Sequence, residues 1–180
     1  MSLKKPDFRN KLLQTMIFIS GSIWLGSQMS KILSIYYFFQ TDEFGRISLK
    51  SEINPESINI IAYQLVPVFS VSLISYSIFI LLTFFYTIYI GKQLKKMGWL
   101  FISLSIVFLC LPFEVYLSLI DLKLIENTFY RLGDSKIILS LFEDRILSLS
   151  SFPIISIILH FFVIALIIFK PLDKRGKIEN

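Results

Sequence analysis

Cysteine and histidine are almost missing from this 180-residue chain, with one of each, and charged residues make up only 17%. Those scarcities exclude whole classes of chemistry. A single Cys110 allows no intrachain disulfide, and it reads as a small apolar core residue. A zinc site needs three or four Cys, His or carboxylate ligands. A haem held by two histidines of one chain needs a second His. No P-loop, GxGxxG or GxSxG pattern occurs, so neither a phosphate cradle nor a nucleophile elbow is indicated. The chain reads as non-enzymatic, without cofactor or metal, and any energy-consuming step falls to a partner.

What the chain has instead is apolar residues, 54% of the total, with 18 Phe and 8 Tyr. They gather into four long stretches: Leu12–Phe39, Ile58–Ile90, Trp99–Ile120 and Phe152–Phe169. A helix of about 20 apolar residues spans the ~30 Å core of a bilayer. The expected fold is therefore all-α: one polytopic membrane domain over residues 1–180 with four transmembrane helices. Outer loops fall at 40–57 and 121–151, and cytosolic segments at 1–11, 91–98 and 170–180. The Ile, Phe, Ser, Lys and Tyr bias, with almost no Ala, points to an AT-rich bacterial gene and hence to the inner (cytoplasmic) membrane.

The formal charge is +5, and topology explains it better than nucleic acid does. Basic residues collect at Lys4, Lys5, Arg9 and Lys11, again at Lys92, Lys95 and Lys96, and again at Lys170, Lys174, Arg175 and Lys177. The two other loops are acidic or balanced. By the positive-inside rule both termini are cytosolic. The first stretch lacks an A-x-A-like cleavage site and is too long for a signal peptide, so it reads as a retained anchor. The basic cytosolic face suits anionic lipid. It also suits an acidic soluble partner.

Local signals refine the spans. Ser22, Gly26, Ser30 and Ser34 recur every four residues and put small side chains on one face of the first helix. Such a face lets backbones approach closely, either within the bundle or between two copies in a homo-oligomer. Phe44-Gly45-Arg46 reads as a turn, with a small hairpin around it. Asn54-Pro55-Glu56 is a helix start. From Pro55 to about Lys96 the second helix spans roughly 60 Å, with Pro67 and Gly91 as sites for a kink or a break. Tyr86, Tyr89 and Trp99 mark the inner interface. Between Lys136 and Leu149 an amphipathic pattern (Ile138, Leu139, Phe142, Ile146, Leu149) predicts a helix on the outer surface, or a cap over the bundle.

Four polar side chains fall inside the spans at a similar depth: Lys31, Gln64, Glu114 and His160. Intramembrane charge is costly and faces inward to pair, so Lys31 and Glu114 are the expected ion pair, with Gln64 and His160 completing a buried layer. Two functions follow. One is an oligomeric sensor or anchor that couples an envelope event to a cytosolic protein effector, without binding nucleic acid itself. The other is a small channel or transporter component that uses the polar layer. In its four spans, cytosolic termini, short loops and AT-rich bias the chain resembles the small four-helix membrane subunit of the Kiwa anti-phage defence system. That resemblance implies a homo-oligomeric sensor that recruits a cytosolic nucleic-acid-binding effector. No motif aligns the two, so it carries over no functional residue.

Overall fold

The computed structural model describes residues 8–41, 47–54, 57–94, 97–130, 134–148 and 151–171. In chain order these form α1 (Phe8–Phe38), β1 (Phe39–Thr41), β2 (Ile47–Leu49), α2 (Ile58–Leu94), α3 (Gly98–Tyr130), α4 (Ser135–Leu147) and α5 (Phe152–Phe169). The long helices form a closed ring in which α1 packs on α2, α2 on α3, α3 on α5, and α5 back on α1. The strands make an antiparallel hairpin with Phe39 opposite Leu49 and Thr41 opposite Ile47. The turn expected at Phe44-Gly45-Arg46 lies outside the described residues, as do Pro55 and Glu56.

The ring follows from buried positions spaced three and four apart. They are Trp24, Gln28, Lys31 and Ile35 on α1; Leu65, Phe69, Ser72, Tyr76, Phe79, Thr83 and Tyr86 on α2; Glu114, Leu117, Asp121 and Leu124 on α3; Ser156, His160 and Val163 on α5. A seven-residue repeat of this kind keeps one seam of each helix facing its neighbours. The seams build three stacked cores. Phe39, Phe69, Leu124, Ile138 and Phe142 fill the hairpin end. Trp24, Tyr76, Phe79 and Val163 fill the middle. Tyr86, Ile90, Trp99 and Leu104 fill the end where α2 turns into α3.

Outside the seams the surface is apolar, with Leu33, Ile88, Leu109, Ile158 and Ile168 all more than 60% exposed. In water a cover this continuous marks an interaction surface. Against hydrocarbon it is what the solvent demands, since helices satisfy their own backbone groups there. Three helices are long and apolar enough to cross a membrane: Ile58–Gly91, Gly98–Phe129 and Phe152–Phe169. The protein is membrane-embedded. The helix α1 has the length, at 31 residues, but Gln14, Ser20, Ser27, Gln28 and Lys31 dilute its apolar run.

The helices run past several of the expected span edges. The span ending at Ile120 continues as helix to Tyr130. No Gly or Pro stops it, and Leu124 gains complete burial by continuing the seam. The helix α2 runs without a break through Pro67 and Gly91 for 37 residues, about 56 Å. Tyr86 and Trp99 face the bundle core, whereas Tyr89 is exposed. The amphipathic segment forms α4, capped by the Asp134 carboxylate accepting from Lys136 N at 3.0 Å. It packs on α3 and α2, with Ile138 and Phe142 at most 1% exposed. Leu149 lies outside the described residues.

The small-residue stripe is also turned away from the ring. Ser22, Gly26 and Ser30 are exposed and Ser34 half-buried. Close approach of α1 and α2 occurs at Gly21 instead, where an added Cβ would sit 3.1 Å from the Phe79 ring. At Gly26 it would meet nothing within 4 Å. Overpacking costs about 1–3 kcal/mol, and each kcal/mol moves the midpoint of a chain this size by about 2–4 °C. Gly21→Leu should therefore lower the thermal midpoint in detergent by several degrees, while Gly26→Leu leaves the monomer's midpoint unchanged. Equal shifts for both variants would reject this packing.

Candidate functional site

Lys31 is the charge that the bundle has to accommodate. It lies on the buried seam of α1 and is 2% exposed. Its ammonium donates to Asp121 Oδ2 at 2.6 Å and to Ser72 Oγ at 3.2 Å. The Phe69 ring centroid is 5.3 Å away, within cation–π range. The other oxygen of the same carboxylate, Asp121 Oδ1, accepts from Arg145 Nε at 2.6 Å. All three side chains are 2–3% exposed. One carboxylate on α3 thus holds a cation from α1 and a cation from α4.

Seven residues before Asp121, on the same face of α3, stands Glu114. Its Oε2 accepts from Gln28 Nε2 at 2.9 Å. Its Oε1 and Gln28 Oε1 have no hydrogen-bond partner among the described residues. The Ser156 hydroxyl of α5 lies beside this carboxyl without a hydrogen bond of good geometry. Glu114 is within electrostatic reach of Lys31, Arg145 and Asp121, so two cations and two carboxyl groups share one buried region. Burying an isolated charge is costly, and mutual compensation is what makes the cluster tolerable.

Below the cluster is an aromatic layer. Trp24 stacks near-parallel on Phe79 with centroids 6.1 Å apart, and its face meets the His160 ring edge-on at 4.5 Å. His160 Nδ1 donates to Ser156 O at 2.8 Å, since a carbonyl can only accept. Beneath this layer, towards the start of α1 and the end of α5, a cavity of about 470 Å³ opens among the four long helices.

The sequence-derived layer is therefore partly reorganised. Lys31, Glu114 and His160 are all buried. Lys31 pairs with Asp121 rather than with Glu114, and Glu114 binds Gln28. His160 belongs to the aromatic layer. Gln64 is exposed, because it lies about 100° round the helix from the buried Leu65. Ser72 takes the place expected of it. Of the expected partner-contact residues, Lys95, Lys96, Lys174 and Arg175 lie outside the described residues, as does the Lys92 side chain. No group of three His, Cys, Asp or Glu side chains gathers among the described residues.

Asp121 is missed by a reading that places it in the outer loop after Ile120, and Arg145 by one that expects a helix over its segment but gives it no place on the packed face. A signal for each existed. Asp121 follows Glu114 by one heptad, and Arg145 continues the Ile138, Phe142 stripe at the next seam position. No family model, curated protein or solved structure matches the chain.

Removing one partner of a buried charge set costs about 3–5 kcal/mol, while replacing the whole set by apolar residues is near neutral or stabilising. Asp121→Asn should therefore strongly destabilise the protein in a detergent melt. Combining Lys31→Met, Asp121→Leu and Arg145→Met should recover most of the loss. A triple variant less stable than Asp121→Asn would contradict the triad.

Proposed function

We propose that the chain is a non-enzymatic membrane subunit, acting as an oligomeric sensor or anchor that couples an event at the outer surface to a soluble cytosolic partner. The observation that carries this reading is the Lys31–Asp121–Arg145 triad. It ties the cap helix α4, on the hairpin side, to the seams of α1 and α3. Lifting α4 would strip Asp121 of one of its two cations and break a buried charge-assisted hydrogen bond. An event felt at α4 is then felt energetically by the bundle. The exposed Ser22, Gly26, Ser30 stripe gives α1 a face for a second copy of the chain or for lipid.

In this reading α1 is a fourth transmembrane helix. Its 31 residues make about 46 Å, it closes the ring between α2 and α5, and its one deeply buried cation is paired. Both termini and the turn around residue 95 then lie in the cytosol of a bacterium, beside the inner membrane. The hairpin and α4 face outward. Lys92, Lys95, Lys96, Lys174 and Arg175 are the basic residues of the sequence that this reading offers to an acidic partner or anionic lipid. The architectural resemblance to the Kiwa membrane subunit agrees with this arrangement, and under it the partner is a nucleic-acid-binding effector.

A second reading is favoured by the vertical order of polar groups. From the cavity, His160 leads to Ser156 and Glu114, then Gln28, then Lys31 and Asp121. That column suits a proton or ion pathway interrupted by the aromatic layer. Under it, proteoliposomes conduct, and Glu114→Gln alters the flux.

Reporter fusions should place both termini in the cytosol and insertions at 43 and 132 outside. An inverted or odd-numbered topology would reject the four-span arrangement. For the coupling role, the full chain is purified from its native membranes beside a Lys92→Glu, Lys95→Glu, Lys96→Glu variant. One soluble protein should be retained by the first and lost from the second. Identical retention by both, or none by either, would remove the basis of the proposal.

A further inference from the structure

The cavity below the aromatic layer is built differently from the charge cluster above it. At about 470 Å³ it falls within the range of small-molecule sites. Every α2 and α3 side chain in its wall is buried, whereas Phe18 and Ser22 of α1 and Ile167 of α5 are exposed at its rim. Gln14 of α1 and Lys170 after α5 are exposed there too, so the mouth runs along the α1–α5 seam from the apolar surface towards the polar helix ends. A molecule dissolved in the membrane reaches the cavity through the apolar part of that mouth, beside Phe18 and Ile167.

The wall says more about what enters. Both tryptophans of the chain line it, and among the described residues no carboxylate does. Three of its side chains are more than nine-tenths buried and carry a polar atom without a hydrogen-bond partner among the described residues: Thr83 Oγ1, Trp99 Nε1 and His160 Nε2. Unpaired buried polar atoms are costly and call for an explanation. Their demands differ. The indole N–H of Trp99 needs an acceptor. The His160 ring already uses its Nδ1 proton on Ser156 O, so Nε2 of the neutral ring needs a donor. Thr83 can serve either role. An acyl chain answers none of these. A ring carrying two oxygen functions, at least one of them a hydroxyl, answers all three, and its apolar body suits the Trp24 and Phe79 faces.

We propose that this cavity binds a membrane-soluble hydroxylated ring compound of the quinol class, entering between α1 and α5. The three polar atoms are covered by neighbouring groups, so binding requires rotations of Thr83, Trp99 and the His160 ring that uncover them while the Nδ1–Ser156 bond is kept. The inference is independent of the coupling role, because it concerns the opposite half of the bundle.

The test uses the full chain in nanodiscs, with decylubiquinol, decylubiquinone and lauric acid as probes under anaerobic conditions. Decylubiquinol should quench the fluorescence of Trp24 and Trp99 saturably, at one per chain. Decylubiquinone has no hydroxyl to donate to His160 and should bind several-fold more weakly. Thr83→Val and His160→Phe keep volume and helix and should each weaken decylubiquinol binding about tenfold. Thr83→Val alone decides the matter where His160→Phe fails to fold. Quenching without saturation, equal displacement by lauric acid, equal affinity for quinol and quinone, or wild-type affinity in Thr83→Val would each overturn the proposal.

Discussion

A single carboxylate, Asp121, sets the terms for the rest of this structure. Lys31 cannot sit in the middle of an apolar bundle alone, and the carboxylate that answers it also answers Arg145, at 2.6 Å on each side. Because the three groups come from three helices, the electrostatic requirement becomes an architectural one. Helix α3 has to continue past the point where an ordinary span would stop. Helix α4 has to fold back over the bundle. Helix α1, the least apolar of the four long helices, has to stay in the ring. The Phe39, Phe69 and Phe142 contacts then seal the triad from solvent and keep its local dielectric low, which strengthens the pairing.

The two halves of the bundle are consequently unlike. The hairpin half is dense, charged and compensated. The other half is aromatic and holds a cavity with unpaired polar atoms in its wall. The Trp24–Phe79–His160 layer divides them. Buried charge sets cost stability relative to apolar packing, and a cavity forgoes dispersion contacts. The dense half suits a switch that α4 can release, and the open half suits a ligand.

Much of this was legible in the sequence. The four apolar stretches correspond to the four ring helices, and the small hairpin expected around Phe44-Gly45-Arg46 corresponds to β1 and β2. Lys31, Glu114 and His160 stand out because ionisable groups are rare among so many apolar ones. Hydropathy was a poorer guide at the edges. It ends the third span at Ile120 because Asp121 and Lys123 follow, yet the seven-residue seam carries the helix on to Tyr130. That error hid Asp121 and handed Lys31 the wrong partner. Arg145 was hidden differently: its segment is expected as an amphipathic helix, but a charge was not expected on the face of Ile138 and Phe142. Gln64 failed the other way: similar depth is not similar direction, and its neighbour Leu65 owns the inward position. The cavity could not be read at all, since it depends on how four seams of Thr83, Trp99, His160 and their neighbours fail to fill the space between them.

Coupling between α4 and the bundle through Asp121 is the central claim, and hydrogen exchange on a Lys31→Met variant reads it most directly. Lys31 is on α1 and does not hydrogen-bond α4. If the triad acts as one unit, neutralising Lys31 will raise exchange across Ser135–Leu147 as well as at Lys31's own turn, with the Trp99 end unchanged. Faster exchange confined to α1, with α4 as protected as in the wild type, would contradict it.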